Sequence, residues 1–311
     1  ALIFNTQELE AIQNNEWIDY QSLLFKRGTQ QDYNLGINAG SDKTKVFVFF
    51  DYFKESGILK FDEAKRYSLR ANIDQTINKM VKVGLQSQIT NRDESYRGTV
   101  YDKEGNFITF PLNGSSISPL ADEQPDAFSN TGKLTNVISN VYVEFKPVKG
   151  LTFRSNLGAN IGNSRIGLFE ASNTISRNGG NSFAQYRASN SRFINWDNVL
   201  TYQKDIKDHS INVTALSSYV EDLSDNVLAQ GESQLLPAQL YYGLGNAPNN
   251  ISINSNYSKW NVLSFAGRLN YGYKGKYLVT LTNRADGASR LSQGNKWAFF
   301  PSAAVAWHIV D

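Results

Sequence analysis

The 311-residue sequence has no cysteine, only two histidines and no apolar run long enough to cross a membrane as a helix. Without cysteine there is no disulfide framework, no thiolate nucleophile and no thiolate metal ligand. His209 and His308 stand at a predicted short turn and a predicted strand end, and neither has a partner at metal-ligand spacing. The longest clean apolar run, Val46 to Phe50, is far short of the roughly 18 residues a membrane helix needs. Charged residues are also scarce, at 19%, against roughly 25% in soluble domains. The 31 basic residues are scattered among 29 acidic ones, so no basic stripe marks a nucleic-acid surface. No G-x-S-x-G elbow is present, and Gly243-x-Gly245 lacks the third glycine of a dinucleotide fingerprint. The expectation is therefore no catalytic residue, no metal and no cofactor. Residues Ala1 to Thr6 lack the basic and apolar regions of a secretory signal, so the start of an exported protein is expected upstream.

What the sequence does have is aromatic side chains, 13% of the total, at a mean hydropathy of −0.41. A membrane β-barrel reconciles the two, because alternate residues face lipid and lumen and the average cancels. Residues 66–74 show the pattern: Tyr67, Leu69, Ala71 and Ile73 fall on one face, and Arg66, Ser68, Arg70, Asn72 and Asp74 on the other. It recurs in 81–89 and 151–161, and more weakly in 137–145, 194–202 and 211–219. Eleven strands are predicted, near 29–39, 44–54, 66–77, 80–91, 136–146, 151–163, 193–203, 209–221, 261–273, 276–286 and 298–308. Short turns after the first, third, fifth, seventh and ninth strands alternate with long loops near 55–65, 92–135, 164–192, 222–260 and 287–297. All long connections at one end is the outer-membrane pattern of tight periplasmic turns and extended extracellular loops. One short helix is expected over 6–14 with Thr6 as its N-cap, and no other.

Site residues follow from this geometry. The loop aromatics Tyr96, Tyr101, Tyr241, Tyr242 and Trp260, with Phe107, Phe110 and Tyr257, could offer flat faces to sugar rings or peptide side chains; packing within the loops and a membrane-interface girdle are the structural alternatives. Arg66, Arg70, Asp74, Lys82, Arg154 and Asn156 would face the lumen. Arg284 and Asp286, followed by Gly287, would form an ion pair fixing a strand end. Asp102, Glu104, Asp122, Glu123 and Asp126 lack the spacing of a calcium loop and read as solvated turn residues.

Residues 267–307 carry a resemblance. Gly267-Arg268-Leu269-Asn270-Tyr271, Lys276-Tyr277-Leu278, Arg284-Ala285-Asp286-Gly287-Ala288-Ser289-Arg290, Phe300-Pro301-Ser302 and Ala306-Trp307 resemble the mid-barrel signature of the SusC/RagA family. Trp17, Tyr33-Asn34-Leu35, Gly57-Ile58, Arg66-Tyr67 and Gly150 to Gly158 extend it over nearly the whole chain. The resemblance implies an all-β, transmembrane antiparallel barrel of about 22 strands, of which this chain holds about eleven. It implies residues 1–28 as an extracellular segment, 29–311 as a partial barrel of strands about 2–12, and no plug domain in this piece. It further implies a multi-pass protein in the outer membrane of a Gram-negative, Bacteroidetes-like bacterium that imports oligosaccharides or peptides. The implied partners are TonB through the missing N-terminal region, a SusD-like surface lipoprotein, outer-membrane lipid, and the remaining barrel and plug, against which the lumen-facing residues would dock. The competing expectations are a soluble β-sandwich adhesin that binds glycan, and a passive porin-like channel. In a sandwich, Tyr67, Leu69, Ala71 and Ile73 would lie beneath a second sheet.

Overall fold

A computed structural model describes residues 6–15, 19–96 and 120–309. After two short helices, α1 (Thr6–Gln13) and α2 (Tyr20–Leu24), come eleven strands: β1 (Thr29–Gly40), β2 (Thr44–Ser56), β3 (Glu63–Thr76), β4 (Val81–Tyr96), β5 (Phe128–Phe145), β6 (Leu151–Glu170), β7 (Phe183–Ile206), β8 (His209–Glu232), β9 (Asn249–Tyr273), β10 (Tyr277–Ala288) and β11 (Trp297–Trp307). They form one antiparallel meander in which each strand pairs only with its sequence neighbours. This is the wall of an up-and-down membrane barrel, with unpaired edges at β1 and β11.

Eleven predicted strands correspond to eleven observed ones, and the edges at the short turns agree within a few residues. The opposite edges of β1 to β3, β10 and β11 agree as well, but those of β4 to β9 run on by five to twelve residues. β7 begins at Phe183, β8 runs to Glu232 and β9 begins at Asn249, each about ten residues beyond the expected bound. Asn249 to Ser258 keeps Ile251, Ile253 and Tyr257 at alternate positions, but its other seven residues are all Asn or Ser, which read as loop although the hydrogen-bond ladder continues. The helix α2 was not expected either, because five residues are too few to display a period. Two 3₁₀ segments, Ala121–Glu123 and Pro237–Asn246, lie within the long loops.

The register fixes the faces. Leu35, Phe50, Leu69, Ile89, Val137 and Ile161 lie on one row across β1 to β6, and Leu157 and Trp196 continue the same face onto β7. These side chains are uncovered: Leu69 is 47% exposed, Leu157 49% and Trp196 49%. No second sheet lies over them among the described residues, which separates a membrane wall from a β-sandwich. Tyrosine and tryptophan stacks rim this apolar face at both heights. Toward the long loops Tyr33 stacks on Tyr52 with centroids 6.2 Å apart, Tyr67 packs tilted against Tyr52 at 5.0 Å, and Phe265 stacks on Trp297 at 6.2 Å. Toward the short turns Tyr273, Tyr277 and Trp307 stack at 6.4 and 6.2 Å. Two aromatic girdles bounding an apolar band mark the membrane interfaces.

The tight turns carry their own chemistry. Lys274 and Gly275 both have positive φ, 54° and 64°, within the three-residue turn 274–276, where the Lys276 amide donates to the Tyr273 carbonyl at 3.0 Å; glycine adopts that conformation at no steric cost. Asn78 closes the β3–β4 turn by accepting hydrogen bonds from the amides of Met80 and Val81 at 2.8 and 2.9 Å.

Candidate functional site

The opposite, lumen-facing side carries the polar chemistry. Near the short turns, Asp74 on β3 stands opposite Gly84 on β4, which stands opposite Tyr142 on β5. Gly84 has no side chain, and the Tyr142 ring lies flat over it, where a Cβ would come within 2.1 Å of the ring. That position lets the Tyr142 hydroxyl donate to Asp74 Oδ1 at 2.5 Å. The Arg154 guanidinium stacks 4.1 Å from the ring centroid, and the Lys82 ammonium lies 5.7 Å away. Lys82 also reaches Asp74 at 3.7 Å, while Glu144 pairs with Lys146 at 2.7 Å and Arg154 at 3.6 Å. Three of the expected lumen residues, Asp74, Lys82 and Arg154, thus meet around a tyrosine that sequence reasoning did not select. The available signal was a glycine inside a strand, which marks a close approach. Nearby, the side-chain oxygen of Asn72 is buried and has no hydrogen-bond partner among the described residues. Leaving such an acceptor unmet costs about 1–3 kcal/mol.

Further toward the long loops, the Arg66 guanidinium pairs with Asp51 at 3.0 Å and lies 5.1 Å from the Phe53 ring centroid. Arg70 shares this face, opposite Phe49 and Gln88. Arg284 donates from Nε to both carboxylate oxygens of Asp286 at 2.8 and 2.9 Å and from Nη2 to Ser264 at 3.3 Å. Gly287 points to the lipid side instead, where the Trp297 indole covers it. Trp260 lies opposite Asp222 on the lumen side and carries the Arg290 guanidinium 4.6 Å from its ring centroid. Tyr96, at the end of β4, hydrogen-bonds Glu94, which also pairs with Arg92. Of the turn carboxylates, Asp122 accepts the Ile175 amide at 2.9 Å and Glu123 pairs with Lys60 at 3.2 Å. Among the described residues no three or more His, Asp or Glu side chains converge as a metal site would require. Tyr101, Phe107, Phe110, Asp102 and Glu104 lie outside the described residues, as does Trp17.

Tyr241 and Tyr242 are placed elsewhere. The 3₁₀ segment Pro237–Asn246 folds over the long-loop ends of β5, β6 and β7 on the lipid-facing side, along the row Thr131, Gly167 and Tyr186. Tyr241 is buried there over Gly167, where a Cβ would come within 2.3 Å of its ring. Its hydroxyl meets Thr131 Oγ1 at 2.7 Å and donates to the Tyr242 hydroxyl at 2.9 Å. Burial pushes the Tyr241 phenol above its ordinary pKa, so it stays neutral at physiological pH. Ala127, Phe169, Ala171 and Ala184 complete a small core beneath it. Replacing Gly167 by valine should expel Tyr241 and release this loop. The expected result is faster amide exchange across 237–246 with the strand ladder unchanged, read by hydrogen–deuterium exchange.

No family model matches the chain. TonB-dependent receptor P3 of Formosa agariphila is 26% identical over 94% of this chain and 31% of its own length. TonB-dependent receptor P26 of the same organism is 28% identical over 96% of this chain and 32% of its own length. TonB-dependent receptor SusC of Bacteroides thetaiotaomicron is 48% identical over 50 residues, 16% of this chain and 5% of its own length. Among solved structures, the RagAB peptide transporter superposes with a TM-score of 0.71 at 22% identity, covering 94% of this chain and 35% of its own. The chain spans about a third of the length of the Formosa receptors it matches.

Proposed function

Because this chain belongs to the SusC/RagA family of TonB-dependent outer-membrane proteins, we propose that it is wall and loop material of an energised importer. The observation that carries the proposal is the two-sidedness of the sheet: an uncovered apolar face between aromatic girdles, and behind it a lumen face rich in ion pairs. In this reading the solute is an oligosaccharide or peptide, held outside between the long loops and a SusD-like surface lipoprotein. TonB then displaces a plug, and the solute passes along the polar lumen. The relatives are named receptors, and nothing in the residues calls for catalysis.

The lumen cluster around Tyr142 suits plug docking. Asn72 supports this, since its buried acceptor needs a donor from another segment. Solute contact falls more naturally to Trp260 and Tyr96, on the lumen side, than to Tyr241, which holds its own loop. The bridge between Phe25 and Leu59 ties the end of segment 1–28 to the long-loop end of the wall, in keeping with an extracellular position. The edges of β1 and β11 need further strands, because unpaired backbone groups in hydrocarbon cost several kcal/mol each.

The test uses the full-length protein in its own outer membrane. With the TonB system disabled, uptake of its solute should fall to the level of cells lacking the protein. Uptake that persists in that background rejects the energised importer in favour of a passive channel.

A further inference from the structure

The lipid-facing side of the wall carries one built ionic cluster. Arg192 on β7 and Lys259 on β9 flank Glu221 on β8, with Arg192 Nη2 2.8 Å from Glu221 Oε1 and Lys259 Nζ 3.1 Å from Glu221 Oε2. Tyr219 adds its hydroxyl to Oε2 at 2.9 Å. Register puts these groups on the apolar face: Trp196 stands opposite Tyr219, Ile194 opposite Glu221 and Ile161 opposite Arg192. The Glu221 carboxylate is nearly buried, whereas both cations stay about 40% exposed (44% and 40%).

Height decides what those cations meet. From the short turn at Lys207-Asp208, β8 runs about a dozen residues to Glu221, slightly more than the 9 to 11 that cross a bilayer. The cluster therefore sits where hydrocarbon gives way to headgroups on the long-loop side. Lys54, Lys65, Lys133 and Arg165 lie at comparable distances from their own short turns on the same face, forming one register row with Asp93. Glu63 and Asp225 stand further out on this face. One carboxylate satisfies one cation, so the Arg192–Glu221–Lys259 cluster keeps a net positive charge, and its carboxylate holds two donors side by side. An arginine fork beside an ammonium is the arrangement that takes two oxygens of one phosphate. Below it, Ile194, Trp196 and Leu263 offer an apolar surface for the attached chains.

We propose that Arg192 and Lys259, clamped by Glu221, bind the phosphorylated headgroup of an outer-leaflet lipid. The site would seat the protein against its annular lipid and is separate from the lumen path.

The test uses full-length protein in detergent, titrated with diphosphorylated lipid A and with the same lipid after enzymatic dephosphorylation. Wild type should prefer the phosphorylated form by about tenfold. The R192Q/K259Q variant should lose that preference, R192K/K259R should keep it, and K207Q/K274Q at the short turns should behave as wild type. Heat-modifiable migration on gels reports folding. If the double glutamine variant fails to fold, the wild-type preference and the single variants R192Q and K259Q, each weakened severalfold, decide the matter. Equal binding of both lipids, an unchanged preference in R192Q/K259Q, or full displacement by millimolar inorganic phosphate would overturn the proposal, the last by revealing a free-anion site.

Discussion

Replacing Val141 by arginine should destabilise the folded full-length barrel by about 2–4 kcal/mol, while arginine at the adjacent Asn140 should change stability by less than about 0.5 kcal/mol. Val141 lies on β5 between Leu85 and Leu157 on the uncovered apolar face, about midway between the short-turn end at Phe145 and Thr135, which shares the row of Tyr67, and is 45% exposed to whatever surrounds the wall. Asn140 points the other way, between Gln86 and Gly158. If hydrocarbon surrounds the wall, a guanidinium at Val141 must be desolvated or must distort the bilayer to reach water. At Asn140 it remains in the wet lumen. Denaturant unfolding in lipid vesicles, read by the gel shift of the folded form, measures the difference. Similar costs at the two positions would contradict the assignment of faces.

The second large effect concerns Gly84. A valine there places atoms within 2.1 and 2.6 Å of the Tyr142 ring, so the ring must leave or the strands must part. Losing the seat of Tyr142 also breaks its hydrogen bond to Asp74 and its stacking with Arg154. Overpacking alone costs about 1–3 kcal/mol, and the lost hydrogen bond adds roughly 1 kcal/mol. The same unfolding assay should show the G84V/Y142A double variant less destabilised than G84V alone, because alanine vacates the space valine needs. Additive losses would mean that Gly84 does not serve to seat Tyr142.

Much of the candidate site was legible residue by residue. Arg66, Arg70, Asp74, Lys82 and Arg154 could be assigned to one polar face from alternation alone, and Arg284 and Asp286 occupy alternate positions that put them on one face. Tyr142 was not singled out, since its importance lies in Gly84 and Asp74, partners far away in the chain, and Glu144 was not, although Arg154 stands opposite it across one short turn. Tyr241 and Tyr242 read as loop aromatics, either open to a solute or packed within the loop. No local pattern could disclose that Gly167, more than seventy residues earlier, had left room for one of them. The cluster of Arg192, Glu221 and Lys259 escaped for the same reason, as each residue alone looks like an ordinary strand-end charge.

The sequence by itself determined the number of strands, their order, which face of each meets lipid, and which end carries the tight turns. Those properties are local: a period of two and turn residues such as Lys274-Gly275 act over a few positions and need no distant partner. Tertiary structure alone decided how far the strands run beyond the membrane, which side of the wall the Pro237–Asn246 segment covers, and which charges become neighbours. Those depend on cross-strand register, which juxtaposes side chains from strands whose own sequences carry no record of one another.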